Sequence, residues 1–481
     1  MKSRLLLLAP LTLPLVNGCA RSEAQMVKMQ RDQDRGMIEL SVYTDDFAMV
    51  RETRRIAFER GRARVGLPGV SKSLDQNSVV FRWPSRKDVQ VVSSTYELGV
   101  SDSGRLLQRF LGKEIELVYH GLDGQPGERV KGTLEVADPG NIVVKADGKY
   151  IVNPNATIEA PADTGIVTIP QLSAEIESKS DGPADLAFSY MTGGLSWSAD
   201  YMATLLPDST NMGLECWATV TNHTGTDFPD AKISFVAGSP NRIQAQGMAR
   251  APMAATPAVA GALKMDEPQF APPQAMGELY AYPYKSTATI RQDQMNRVRM
   301  MGSDGVTVKR IYTISLPGMG PDYGEFYAGL DQRLTASMSV RFTNSTKFGL
   351  GLPLPAGSVR VYEPDKTGDP HYIGAAFIAN TPKDAQVSLG LSKVFDVYAL
   401  ARQVSVQRID RRHKRRTVEV TLHNEKAKSV RVTLNQSLGD LWRIENETSK
   451  SRKLDVSTTQ WQIDVPAGGE VKLRYAVVFG P

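Results

Sequence analysis

Apolar side chains recur at every second position, in short runs, along almost the whole of this sequence. That period is the period of a strand with one buried face, and it leaves little room for helical or doubly wound folds. Ile38, Leu40 and Val42 share one parity, as do Leu186, Phe188 and Tyr190, and Leu214, Cys216, Ala218 and Val220. Met338, Val340 and Phe342 alternate, as do Val418, Val420 and Leu422, then Val430, Val432 and Leu434, and Leu473, Tyr475, Val477 and Phe479. Turn residues bound these runs, among them Gly66-Leu67-Pro68-Gly69-Val70 and Asn222-His223-Thr224-Gly225-Thr226-Asp227. The expected fold class is all-β and multi-domain, made of antiparallel β-sandwiches.

Three stretches break the pattern. Residues 101–110 carry Leu106, Leu107 and Phe110 at helical spacing behind Ser101 and Asp102, either of which can cap a helix. Residues 112–160 read as four or five short strands with Gly-rich turns, the pattern of a small SH3- or Sm-like barrel inserted in the N-terminal half. Residues 239–277 are rich in Ala, Pro, Met and Gln without periodicity. Such a segment buries too little to offset its ordering entropy, so a disordered insertion is expected. The resulting division is a leader at 1–20, a tether at 21–36 and a β domain at 37–111. The barrel at 112–160 follows, then a sandwich at 161–238 that resumes over 278–395 after the insertion. An immunoglobulin-like sandwich at 396–481 ends the chain.

The leader has its own logic. Lys2 and Arg4 precede an apolar run at residues 5–16, and Asn17-Gly18-Cys19-Ala20 follows. This is the order of a secretory signal peptide, and the run is short of the ~20 apolar residues a membrane span needs. Val16-Asn17-Gly18-Cys19 also resembles a bacterial lipobox, whose cysteine receives a diacylglyceryl group and becomes the new N-terminus. Three readings stand: lipidation of Cys19, which we prefer, an ordinary cleavage near Ala20, and a leader retained as an anchor. Acylated, Cys19 would hold the protein at a membrane, and Cys216, the other of the two cysteines, would have no disulfide partner within the chain.

Composition restricts the chemistry. The formal charge of +5 falls to +3 when Lys2 and Arg4 leave with the signal, less than a strong polyanion binder carries, and nucleic acid is not an expected partner. His120, His223, His371, His413 and His423 are scattered, with no zinc-ligand spacing. Cys216 alternates with apolar neighbours and reads as a buried, inert thiol. Asp365-Lys366-Thr367-Gly368-Asp369 lacks the acidic density of a calcium loop and reads as a solvated hairpin tip. No nucleophile elbow, phosphate loop or dinucleotide fingerprint is present, so no catalytic residue, metal or cofactor is expected. The sharpest electrostatic feature is Arg408, Arg411, Arg412, Lys414, Arg415 and Arg416, six basic groups in nine residues at an expected hairpin tip. In a cell envelope such a tip could meet lipid headgroups, lipopolysaccharide phosphates or acidic glycans.

Tyr190-Met191-Thr192-Gly193-Gly194-Leu195-Ser196-Trp197-Ser198-Ala199-Asp200-Tyr201 is followed by Trp217-Ala218-Thr219-Val220-Thr221-Asn222-His223-Thr224-Gly225 and by Asp230-Ala231 leading to Val236-Ala237-Gly238. With Asn344, Gly351-Leu352-Pro353-Leu354-Pro355-Ala356-Gly357, Arg360-Val361-Tyr362, Trp461 and Pro466-Ala467-Gly468-Gly469, this stretch of 185–481 resembles the domain of unknown function at the C-terminal end of mucoidy-inhibitor-like proteins. Gly61, Val65, Leu67-Pro68-Gly69-Val70, Leu74-Asp75 and Ser78-Val79 more faintly resemble that family's companion domain. The better-known members carry a long coiled coil between the two; here no heptad run is sustained and the barrel-like stretch lies there instead. The resemblance implies a β-rich envelope or secreted protein and supplies no catalytic residues. As fold devices, Gly193 and Gly194 suit a turn or bulge, Trp197, Tyr201 and Trp217 offer large apolar surface, and Asn222 and Gly225 suit a strand connection.

The expected protein is therefore an exported, lipid-anchored β-sandwich protein, a non-enzymatic envelope scaffold or interaction module facing the periplasm from the outer membrane. Its expected partners are the membrane, through the lipid, and an anionic envelope surface or envelope protein. The rival reading is an envelope hydrolase or carbohydrate-active enzyme whose acidic pair is assembled from distant loops across a cleft.

Overall fold

A computed structural model describes residues 28–29, 35–99, 103–121, 124–162, 167, 169–206, 210–240, 270–321, 332–439 and 441–480. The expected leader with Cys19, most of the expected tether and residues 241–269 of the expected insertion lie outside them. The described chain is nearly all β, in several antiparallel sheets. The described residues divide into two compact units, one drawn from 28–36, 53–72 and 80–188, the other from 37–52, 73–79 and 189–480.

In the first unit Gln171–Ser178 is a central strand, paired antiparallel with Gly61–Pro68 on one side and Val89–Glu97 on the other. Leu172, Ala174 and Ile176 on one parity are buried, as are Val65 and Leu67. The expected sandwich boundary at 161 thus differs from the structure, because residues 171–178 complete the N-terminal sheet. Over 112–160, where four or five short strands are expected, the same unit contains a five-stranded antiparallel sheet. Its strands are Glu114–His120, Pro126–Asp138, Asn141–Ala146, Lys149–Val152 and Thr157–Glu159, and the last pairs back onto the first. Phe110, Ile115, Leu117, Leu134 and Val144 form its core, with Leu106 and Leu107 of the helix Ser103–Gln108 packed against them.

The second unit holds two sandwiches. One sheet of the first runs Pro370–Ile378, Gly357–Pro364, Leu195–Leu205, Asn211–Asn222 and the first half of Met295–Met319. Opposite lie Leu279–Ile290 and Phe228–Ala237, the latter paired in parallel with residues 39–43. Trp197 fills the space between the layers, with ring centroids 5.3 Å from Phe235 and 6.3 Å from Tyr282. The end of the expected insertion is ordered: Gln274–Met276 pairs with Leu279–Ile290, and buried Phe270 bridges to Tyr284.

The second half of Met295–Met319 belongs to the last sandwich. Residues 308–313 pair antiparallel with Gln332–Thr343 and residues 312–319 run parallel to Val430–Leu438, so one strand serves both layers. Gln386–Arg408 is a single strand through the expected boundary at 395/396. The last core accordingly draws on Tyr312, Ile314 and Met338 as well as on Val418, Val432, Trp461 and Tyr475.

Candidate functional site

The motif residues are placed first by strand parity. On Asn211–Asn222, Cys216 and Ala218 point into the core, so Trp217 points out. Of the tryptophans that offer apolar surface, Trp197 is thus buried and Trp217 only half-buried. Its outer face lies under Arg297, whose guanidinium carbon is 5.0 Å from the ring centroid, and its Nε1 donates to Glu215 at 3.3 Å. Trp197 and Tyr201 are buried and donate to Val236 O at 3.0 Å and Pro355 O at 2.7 Å. Gly194 takes a left-handed φ of 78°, and a Cβ there would lie 3.1 Å from the His223 backbone; Gly193 is not left-handed. Gly225 has φ 82° in the turn that Asn222 closes.

The basic run folds as the hairpin expected from sequence, with Arg408 paired to Lys414 as the last rung. Asp410 builds its turn. Its Oδ1 accepts from the backbone N–H groups of Arg412 at 2.7 Å and His413 at 2.8 Å, and the carboxylate also meets the His413 ring. Those bonds, the Arg412 amide foremost, draw the Asp410 carboxyl down to about 2.

The six basic groups do not form one patch. Lys414 Nζ and Arg416 Nη2 both donate to Pro321 O, at 3.2 and 3.4 Å, and Arg416 is buried. Arg415, one position out of phase, points to the other face and donates to Glu445 Oε2 at 2.9 Å. Glu445 also accepts from Arg443, and these bonds, Arg443's first, hold its carboxyl below the ordinary range. Arg408, Arg411 and Arg412 remain exposed at the tip. Alternation, which sequence reasoning applied to apolar residues, divides the cations in the same way.

Elsewhere, groups that could do chemistry are tied to their own loops. Asp365 Oδ1 accepts from Thr367 N, Thr367 Oγ1 and Asp369 N, and its Oδ2 meets His371 Nε2 at 3.0 Å. The Thr367 hydroxyl and His371 are the leading causes that hold the Asp365 carboxyl well below the usual range. His223 pairs with Asp293 and His413 with Asp410, while His423 stacks on Tyr398 with centroids 4.7 Å apart; His120 is exposed. Among the described residues no group of three His, Cys, Asp or Glu side chains is placed to hold a metal ion. Cys216 lies with its Sγ 3.9 Å from Met300 Sδ, and burial pushes its thiol up to about 12.

A cavity of about 120 Å³ beside Cys216 is lined by Tyr201, Leu214, Met301, Leu350 and Leu354 among others; a second, of about 370 Å³, is bordered by Leu98, Gly99, Arg105, Gln108 and Arg109. Neither lining contains a carboxylate. Sequence reasoning missed Asn424, a buried turn-closing amide that resembles no catalytic motif, although its place at the end of an alternating run was a usable signal. The chain matches no protein-family model and no curated protein.

Proposed function

We propose that this chain is an exported protein, anchored by a lipid on Cys19, that serves as a non-enzymatic scaffold or interaction module of the cell envelope. Its contact point for anionic envelope groups is the tip of Arg408, Arg411 and Arg412. The observation that carries this reading is the fate of the two carboxylates most suggestive of chemistry. Asp365 and Asp410, each beside a histidine, spend their oxygens on the turns that hold them. The apolar lining beside Cys216 and the carboxylate-free border of the larger cavity support the same reading, since glycoside hydrolysis asks for two carboxyl groups flanking a groove. The motif likeness over 185–481 supports an envelope setting.

Cross-linking in intact cells tests it. One dominant envelope partner or envelope polymer, recovered with the wild-type chain and diminished for a chain lacking the three tip arginines, supports the module. Turnover of isolated envelope polysaccharide that a single Asp→Asn or Glu→Gln substitution abolishes contradicts it.

A further inference from the structure

One end of the last sandwich gathers three connecting segments. They are the basic hairpin tip 409–413, the entry to Trp442–Glu445 at Leu441, and the tip 454–457 between Arg452–Lys453 and Thr458–Val465. Register brings them together, because Lys414 and Trp442 both pair with Phe479 and Thr458 pairs with Ser437. Backbone bonds fix the junctions. Gly480 N donates to Leu441 O at 2.9 Å, and Leu438 N donates to Ser457 O at 2.6 Å. Trp442 Nε1 donates to Val456 O at 2.6 Å. A Cβ on Gly480 would stand 2.5 Å from Arg412 O, so the chain at Leu441 abuts the basic tip.

Each segment puts an aliphatic side chain into solvent: Ile409 is 44% exposed, Leu441 62%, Leu454 45% and Val456 69%. Leu441 is held there at a left-handed φ of 54°, a conformation that glycine or asparagine adopts far more cheaply than leucine. Arg408, Arg411, Arg412 and Lys453 are exposed among them. Two acids of the tips are engaged by their own turns: Asp410 accepts from Arg412 N and Asp455 from Ser457 N. Both carboxylates stay ionised, and with Asp440 the acids of the three tips number three against the four exposed cations, so the end carries a small net positive charge, and its apolar groups sit on loop tips.

We propose that this end of the sandwich docks onto a bilayer surface containing anionic phospholipid. The arginines meet headgroup phosphates, and Ile409, Leu441, Leu454 and Val456 enter the boundary between headgroups and acyl chains. The proposal rests on the reading of the basic tip as an anion-binding surface and names its partner. Charge complementarity selects an anionic surface. The four aliphatic tips then select lipid over a soluble polyanion, which would engage the arginines and leave the tips in water.

The test uses the chain from residue 20 onward, so that neither the apolar leader nor an acyl group contributes. Its binding is measured to vesicles of phosphatidylglycerol and phosphatidylethanolamine, to phosphatidylcholine vesicles and to polyphosphate. The chain is expected to bind the anionic vesicles and not the neutral ones. Replacing Arg408, Arg411 and Arg412 by Gln should weaken that binding about a hundredfold at low salt. Leu441→Asn relieves the backbone and is expected to fold; with Val456→Ser it should weaken vesicle binding about tenfold and leave polyphosphate binding unchanged. Vesicle binding indifferent to the aliphatic variants would overturn the bilayer proposal and leave the tip a polyanion site. Failure to bind either vesicles or polyphosphate would overturn both readings.

Discussion

Asn424 closes the last sandwich with the arrangement that Asn222 uses in the first. In each, the side-chain Oδ1 accepts from the backbone N–H two residues on, at 3.0 Å from Thr224 and 3.1 Å from Lys426. In each, Nδ2 donates to the carbonyl four residues on, at 3.0 Å to Thr226 and 2.9 Å to Lys428, and reaches a strand distant in sequence, at Ile290 O or Val465 O. Both amides are buried, so the turns they close depend on them for partners that water cannot supply.

Removing either amide strands backbone groups in the interior. Asn222→Ala and Asn424→Ala are each expected to cost about 2–3 kcal/mol in urea denaturation. Asp at position 424 should cost more, because a carboxylate there would face the carbonyl oxygens of Lys428, Val465 and Pro466. A loss below about 0.5 kcal/mol for the alanine variants would deny these amides a structural role.

Two tryptophans from the same kind of alternating run should behave differently. Trp461 is buried with its ring centroid 4.5 Å from that of Tyr475, and Trp461→Ala is expected to cost about 3–5 kcal/mol. Trp217 lies on an outer face under Arg297, and Trp217→Ala should cost about 1 kcal/mol or less. Equal losses for the two in equilibrium unfolding would contradict their placement.

That contrast shows how far the sequence is legible. Parity alone puts Trp217 outward once Cys216 and Ala218 are inward, and it sends Arg415 away from Lys414 and Arg416. The fold class, the small five-stranded sheet and the hairpin at 409–413 follow from local patterns and turn residues. The gathering of Ile409, Leu441 and Val456 does not, because it depends on register among strands tens of residues apart. For the same reason the extent of the last sandwich was not visible. Gln386–Arg408 has no breaker near 395, and only pairing shows that residues 308–343 share its core.

Cys216 offers a chemical check. Its thiol, pushed up to about 12 by burial, is almost wholly protonated near pH 8. With Cys19→Ser as background, a thiol-specific chromogenic reagent should find no reactive group in the native chain and one after denaturation. Rapid native labelling would mean that the sheet opens there.

The basic tip should respond to acid in one direction. Asp410 has its carboxyl drawn down to about 2, against an unfolded value of ~3.9. Its contribution to turn order is therefore fully present above about pH 4 and is lost as pH falls through about 2. Amide exchange at Arg412 and His413 is expected to quicken over that interval relative to Asp410→Asn, in which it should show no such transition. Identical pH profiles for the two chains would separate the turn from its aspartate.

Export and anchoring through Cys19 are tested most directly by growing cells with an alkyne-tagged fatty acid and following the chain. The wild-type protein is expected to take up the tag and sediment with membranes, and Cys19→Ser to take up none. An untagged wild-type chain recovered from the cytosol with its first twenty residues intact would contradict both.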